Sequence, residues 1–239
     1  MKLCGNTALI TGGATGIGFA LAESLLAAGN KVIICGRRED RLHEAQKKHP
    51  ELQIRVCDVA DREEQKKLYK WVTSEFPDMN VLINNAGIQR DIDLSKGLED
   101  ILNGGNEIQI NLEAPILLTA LFIPHLLCKE NPVIINVSSG LAYRPMAEVP
   151  IYCATKIAVH MYTQLLRQQL SDRGIKVFEV IPPVVDTELN MEGRKKRRMP
   201  FKGIAPGEFA EAVIKGLEKD KFEIRYGMTA GFKPAAKKE

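Results

Sequence analysis

TALITGGATGIGFALAESLLAAG, residues 7–29, starts as a β-branched apolar run, breaks into glycines at 12, 13, 16 and 18, and continues as an apolar helix-forming run. A chain that turns from a strand into a helix while its backbone approaches a pyrophosphate needs residues without Cβ at the turn. The first turn of the helix then offers free N–H groups to the anion. The spacing is G-x-x-x-G-x-G, different from the more familiar G-x-G-x-x-G. A tight turn without a ligand would use the same residues, so the position between strand and helix carries the dinucleotide reading. Gly12, Thr15, Gly16, Ile17 and Gly18 are the candidates it supplies.

A dinucleotide site is expected to have an acidic residue about 20 positions further on for the adenosine ribose. Here the second strand ends in CGRRED, with Gly36 where the carboxylate would stand and Arg37 and Arg38 after it. A small residue leaves room for a 2′-phosphate, and guanidinium groups bind it with forked, charge-assisted hydrogen bonds. NADP(H) is therefore preferred, with NAD(H) still possible. The plainer alternative is that the arginines solvate a loop while Glu39 and Asp40 start the next helix by complementing its dipole.

The same alternation runs through the chain. TALIT (7–11), KVIIC (31–35), LQIRV (52–56), NVLIN (80–84), VIINVS (133–138), KVFEVI (176–181) and FEIRY (222–226) read as strands, apolar on both sides. Helices are expected near 16–28, 39–48, 61–75, 106–128, 151–173 and 206–219. This pattern predicts an α/β fold: a doubly wound, seven-stranded parallel sheet with helices on both faces and a crevice at the carboxyl ends of the strands. One domain over 1–230 is expected, with a substrate loop at about 187–205, a second long connection at 88–105, and a disordered tail at 231–239.

The totals fit a globular protein: 239 residues, 45% hydrophobic and 26% charged. The N-terminus lacks the apolar run of a signal peptide, and APILLTALFIPHLLC (114–128) is too short and interrupted to span a bilayer, so a cytoplasmic protein without an integral membrane segment is expected. Cys4, Cys35, Cys57, Cys128 and Cys153 form no CxxC pair and the four histidines have no ligand-like spacing, so no metal site is expected. The formal charge of +3 depends on RKKRRMPFK (194–202), with six basic and no acidic side chains; without it the chain is slightly acidic. That loop is either a solvated face or a cover for an anionic substrate or polyanionic surface. Nucleic acid is not expected, since only Phe201 could stack there.

IYCATKIAV (151–159) sets Tyr152 and Lys156 four apart, on one face of a helix. A phenol titrates near 10, and bringing it to about 7 requires about 4 kcal/mol of extra phenolate stabilisation. A positive charge about 4 Å away at an effective dielectric of about 20 supplies about that much. With help from the positive ring of an oxidised nicotinamide, Tyr152 could exchange a proton with a carbonyl and alcohol pair.

These features, taken with CDV (57–59), NNAG (84–87), Asn111 in IQINLEAP, VSSG (137–140) and YCATK (152–156), resemble the short-chain dehydrogenase/reductase family in residue type and order from about residue 6 to 226. Within it, GNKVIICGRRE, NVLINNAGIQ and the PP-VDTELN segment are similar to an oxidoreductase encoded beside teichoic-acid D-alanylation genes of Gram-positive bacteria. The resemblance implies catalytic roles for Asn111, Ser139, Tyr152 and Lys156, with Ser139 holding the substrate oxygen and Ser138 serving the turn. It implies adenine contacts from Asp58 and Val59, ribose contacts from Asn85, Ala86 and Gly87 beside the sheet-supporting Asn84, and nicotinamide contacts from Tyr152, Lys156, Pro182, Val185 and Thr187. Pro183 stands where the family commonly has glycine, and its fixed φ and missing N–H bear on the contacts of Val185 and Thr187.

The expected activity is hydride transfer between a nicotinamide and a small carbonyl or alcohol substrate, with Tyr152 as acid and base. A non-catalytic dinucleotide sensor or scaffold is the alternative, disfavoured because all four catalytic positions are filled. Epimerisation or dehydration of nucleotide sugars would need a larger C-terminal domain. The helices 106–128 and 151–173 are long and apolar, which core packing in a monomer would explain; the resemblance implies that the pair builds the face of a homo-oligomer, a dimer or tetramer.

Overall fold

The computed structural model describes residues 1–197 and 203–232. All seven expected strands form, as β1 (Thr7–Thr11), β2 (Lys31–Gly36), β3 (Gln53–Val56), β4 (Met79–Asn84), β5 (Val133–Val137), β6 (Lys176–Ile181) and β7 (Glu223–Arg225). They make one parallel sheet in the order β3-β2-β1-β4-β5-β6-β7. The order reverses between β1 and β4, so the loops after these strands part there and leave a crevice.

Alternate strand residues feed two apolar layers. Ala8, Ile10, Val32 and Ile34 point to one face, where they meet α1 (Gly16–Ala27), α2 (Glu39–Lys48) and α8 (Pro206–Glu218) through Leu21, Leu42 and Phe209. Leu9, Ile33 and Leu82 point to the other and meet α3 (Arg62–Glu75), α5 (Ala114–Leu126) and α6 (Pro150–Leu170) through Leu68, Phe122 and Leu166. Burial on both faces explains the unbroken apolar strands. The edge strand β3 departs from the expectation: its residues are mostly exposed, Val56 included, because no element lies beyond it. Helix α3 is started by Asp61, whose carboxylate accepts from Glu63 and Glu64 N–H at 2.7 and 3.0 Å.

Three local features differ from the sequence reading. The helix expected over 106–128 is interrupted by a wide π turn at Gln109–Glu113 before α5, because the Asn111 side chain is drawn into the loop after β4. The connections expected to be irregular hold α4 (Leu98–Leu102) and α7 (Met191–Lys196). Of the tail expected from residue 231, Gly231 closes a 3-10 turn and Phe232 packs near Tyr143, with ring centroids 5.8 Å apart. The centre of the basic run, 198–202, and residues 233–239 lie outside the described residues.

Candidate active site

The carboxyl ends of the strands surround a cleft of about 680 Å³. The glycine loop forms one wall, where Gly12, Thr15, Gly16 and Ile17 line the cleft. Gly12 has φ +63, and a Cβ there would lie 2.9 Å from Ala86 Cα, so only glycine lets the loop meet the end of β4. Gly18 does not line the cleft. A Cβ on it would lie 2.3 Å from Gly12 O and 2.4 Å from Asn85 Nδ2, which makes it a packing residue. Helix α1 begins with no acidic residue in its first turn and no side-chain cap from Thr15, leaving its N–H groups turned to an open, glycine-walled groove.

At one end of the groove stand Arg37, Arg38, Asp58 and Val59. Arg38 is engaged: it donates to Glu188 Oε2 at 2.9 Å and to Thr15 Oγ1 at 3.1 Å, so its guanidinium crosses from the glycine loop to the segment after β6. Glu39 and Asp40 sit in the first turn of α2, as the dipole reading expected. Asn85, Ala86 and Gly87 line the middle. Asn85 also staples the glycine loop, donating to Thr11 O and Gly12 O at 3.0 Å each. Asn84 supports the sheet through Thr119 and Asn136, at 3.0 and 2.8 Å.

At the other end Ser139, Tyr152 and Lys156 converge, with Pro182, Val185 and Thr187 opposite. Pro183 does not divert the chain, since Val184 O and Asp186 N–H pair with Ile204 at 2.9 Å each and hold Val185 and Thr187 against the cleft. The Ser139 hydroxyl lies beside the phenol, on which it acts to lower the pKa, and accepts from Leu141 N–H at 3.1 Å. The turn is therefore served by Ser139; Ser138 donates its hydroxyl to Glu179 Oε1 at 2.5 Å. Asn111 does not line the cleft. Its amide exchanges hydrogen bonds with Ile88 N–H and C=O, at 2.9 and 2.8 Å, and its Oδ1 lies 3.3 Å from where a Cβ on Gly87 would be.

The electrostatics correct the charge argument made from the sequence. Lys156 Nζ donates to Val137 O at 2.8 Å and sits 5.7 Å from the Tyr152 ring centroid. Burial dominates both side chains: it pushes the phenol up to about 12, against the lowering effect of the neighbouring Ser139 hydroxyl, and pushes the ammonium down to about 8, opposed by the charge of Glu179. The lysine alone does not bring the phenol toward neutrality. Glu107, buried behind this pair, is itself pushed up to about 7 by burial, partly offset by the Arg90 N–H it accepts.

Several lining residues escaped sequence reasoning. Leu141, Met146, Leu189, Met228 and Phe232 give the tyrosine end an apolar wall, and Arg144 stands on that wall, its guanidinium 4.8 Å from the Phe232 ring centre. They come from three separate connections with no shared motif: Leu141, Met146 and Leu189 pack against Tyr152, and the C-terminal turn returns onto Gly140.

Residues 6–198 match the model of the short chain dehydrogenase family. The chain belongs to the short chain dehydrogenase family of oxidoreductases. It is 46% identical over 237 residues to the oxidoreductase DltE of Bacillus subtilis (strain 168), covering 99% of this chain and 94% of that one. An oxidoreductase of Staphylococcus saprophyticus, SSP0419, is 30% identical over 92% of this chain and 94% of its own. Among solved structures, a short chain dehydrogenase from Burkholderia cenocepacia in complex with NADP superposes with a TM-score of 0.82 at 27% identity, covering 96% of this chain and 92% of that one. A 3-ketoacyl-(acyl-carrier-protein) reductase from Brucella melitensis complexed with NADH gives 0.79 at 26% identity, with 90% and 91% covered. In this family setting the doubly wound sheet is as expected. Among the described residues no helix is long and apolar enough to cross a membrane, and no cluster of three metal-ligating side chains occurs.

Proposed function

We propose that the chain is an NADP(H)-dependent reductase of a small carbonyl compound, with Tyr152 as the proton donor. The observation that carries this reading is the layout of one cleft: a glycine-walled helix N-terminus and two arginines at one end, a buried phenol beside a serine at the other. The groove fits a dinucleotide, because Gly12, Thr15, Gly16 and Ile17 line it and the first turn of α1 is uncapped. Gly12, Thr15, Gly16 and Ile17 would hold its pyrophosphate, Arg37 and Arg38 its 2′-phosphate, Asp58 and Val59 its adenine. Asn85, Ala86 and Gly87 would border the ribose, while Pro182, Val185 and Thr187 would face the nicotinamide. When bound, the cofactor supplies the hydride chemistry at the substrate carbon.

The protein's part is to orient the carbonyl and deliver a proton. Ser139 Oγ and the Tyr152 hydroxyl converge where a carbonyl oxygen would lie, and a phenol held near 12 keeps its proton at neutral pH. It therefore stands ready to donate as negative charge develops on the substrate oxygen. Lys156 would bind the nicotinamide ribose and neutralise the phenolate left behind. Asn111 acts from outside the cleft by fixing Ile88. A sensor would have no need of a buried Ser-Tyr-Lys cluster at the substrate end.

Arg144 meets no acidic group among the described ion pairs, so a substrate carrying an anionic group away from its carbonyl fits the apolar wall and its guanidinium. Ile157, Met161 and Leu165 form an exposed apolar stripe on α6, which supports a homo-oligomer built through that helix. The test of the central reading is a carbonyl panel with NADPH, following nicotinamide absorbance. Tyr152→Phe is expected to abolish turnover on any active compound while NADPH affinity stays within about twofold; retained turnover refutes the role.

A further inference from the structure

Tyr152 and Lys156 are the first two members of a longer series. His160 and Gln164 follow at the same four-residue interval, so one face of α6 carries four polar side chains in a row. Opposite them, on β6, lies Glu179, with no exposed surface. Its Oε1 accepts from the Ser138 hydroxyl at 2.5 Å, and His160 Nδ1 lies 3.0 and 2.8 Å from its two oxygens. The His160 ring meets Tyr143 Oη at 3.2 Å and Gln164 Nε2 at 3.0 Å. From β7, Arg225 donates to Tyr143 Oη at 3.0 Å and to Glu223 Oε2 at 2.5 Å. Further along α6, Arg167 is taken up by Val177 O and Phe222 O.

A carboxylate wholly removed from water is expensive even when hydrogen-bonded, and an apolar pair of similar shape could join α6 to β6 at lower cost. The position of Glu179 gives it a use. Val137, Ser138 and Ser139 are consecutive: Val137 O takes the Lys156 ammonium, Ser138 is pinned by Glu179, and Ser139 lines the cleft beside the phenol. We propose that Glu179, held by His160, is a positioning residue for the Tyr152–Lys156 pair: it is the buried counter-charge of Lys156, and through Ser138 it anchors the strand end that carries Ser139.

Charge and geometry agree. Burial works against the ammonium, and Glu179 is the group that opposes it. Without that negative charge Lys156 would lose its proton nearer to neutral pH, and a neutral amine could not compensate a phenolate. The inference rests on the proposed roles of Tyr152 and Lys156, but its test does not require turnover.

The protein is labelled with lysine carrying 15N at Nζ, the Lys156 signal is identified by its loss in Lys156→Ala, and the signal is titrated without cofactor or substrate. In Glu179→Gln the Lys156 titration is expected to fall by about one pH unit, the size of effect a neighbouring opposite charge exerts. In Glu179→Asp, which keeps the charge, it is expected to stay closer to the parent value. Glu179→Met serves as a second neutral variant should the amide fail to fold, with circular dichroism reporting the fold. If Lys156 titrates identically in the parent and a folded neutral variant, the counter-charge role is overturned and Glu179 only joins α6 to β6. A normal shift in an inactive protein, by contrast, would leave this inference standing and count against the proposed reaction.

Discussion

Lys156 should weaken the fold it serves. Its side chain is 4% exposed, and burial lowers its ammonium from 10.5 to about 8. By linkage that shift corresponds to about 3 kcal/mol of lost stability wherever the lysine is charged in both states. The sign follows from proton counting. Below about pH 8 both states are protonated and the folded state carries the full penalty. Between about 8 and 10.5 the unfolded chain binds the extra proton, so stability from this group rises with pH, and above 10.5 the penalty is gone. Lys156→Met keeps the length and removes the charge, at the cost of the hydrogen bond to Val137 O, about 1 kcal/mol. The variant is therefore expected to be about 2 kcal/mol more stable at pH 7, a rise in Tm of roughly 4–8 °C for a chain of this size. Thermal and urea melts from pH 7 to 10, with turnover measured in parallel, test it. The advantage should shrink as pH rises, and activity should be lost throughout. A variant less stable than the parent at pH 7, or an advantage independent of pH, would refute the reasoning.

Arg38→Ala is expected to weaken NADPH binding about 10- to 100-fold, the worth of charge-assisted bonds to a phosphate, with little effect on NADH. Glu188→Gln should act the opposite way: it releases Arg38 from a half-exposed ion pair worth at most about 1 kcal/mol, so NADPH affinity rises no more than about fivefold in a fluorescence titration. Gly18→Ala drives a Cβ into Gly12 O and should cost about 1–3 kcal/mol in a urea melt while weakening cofactor binding. The Glu107 carboxyl, pushed up to about 7, makes the fold lose stability as pH rises from about 4.5 to 7, because the unfolded chain releases its proton first. Glu107→Gln should flatten that slope, by up to about 3 kcal/mol between pH 5 and pH 8; an unchanged slope would show that the carboxyl is not the source.

The residues proposed to hold the cofactor stand out along the chain because each device is local. A glycine turn between strand and helix, two arginines at the next strand end, and a tyrosine and lysine one helical turn apart are each set by backbone geometry over a few residues. The strand pattern was readable too, since a parallel sheet covered on both faces demands unbroken apolar runs, and the edge strands β3 and β7 escaped that demand. Asn111 and Gly18 stand out in the sequence as members of motifs, but spacing says nothing about direction, and both side positions turn away from the cleft.

The state of the protons and the shape of the substrate end depend on contacts between distant segments. The sequence distance between Tyr152 and Lys156 predicts attraction; the depth at which they are buried, which no local pattern encodes, reverses the expected shift of the phenol. Glu179 looks like one more polar residue in a strand until β6 packs against α6 and sets it beside His160 and Ser138. Arg144 meets Phe232 because the chain returns after β7 to cover Gly140. Short-range geometry thus fixes the dinucleotide groove and the order of the sheet, whereas desolvation and long-range packing, which depend on every element at once, set the chemistry at its catalytic end.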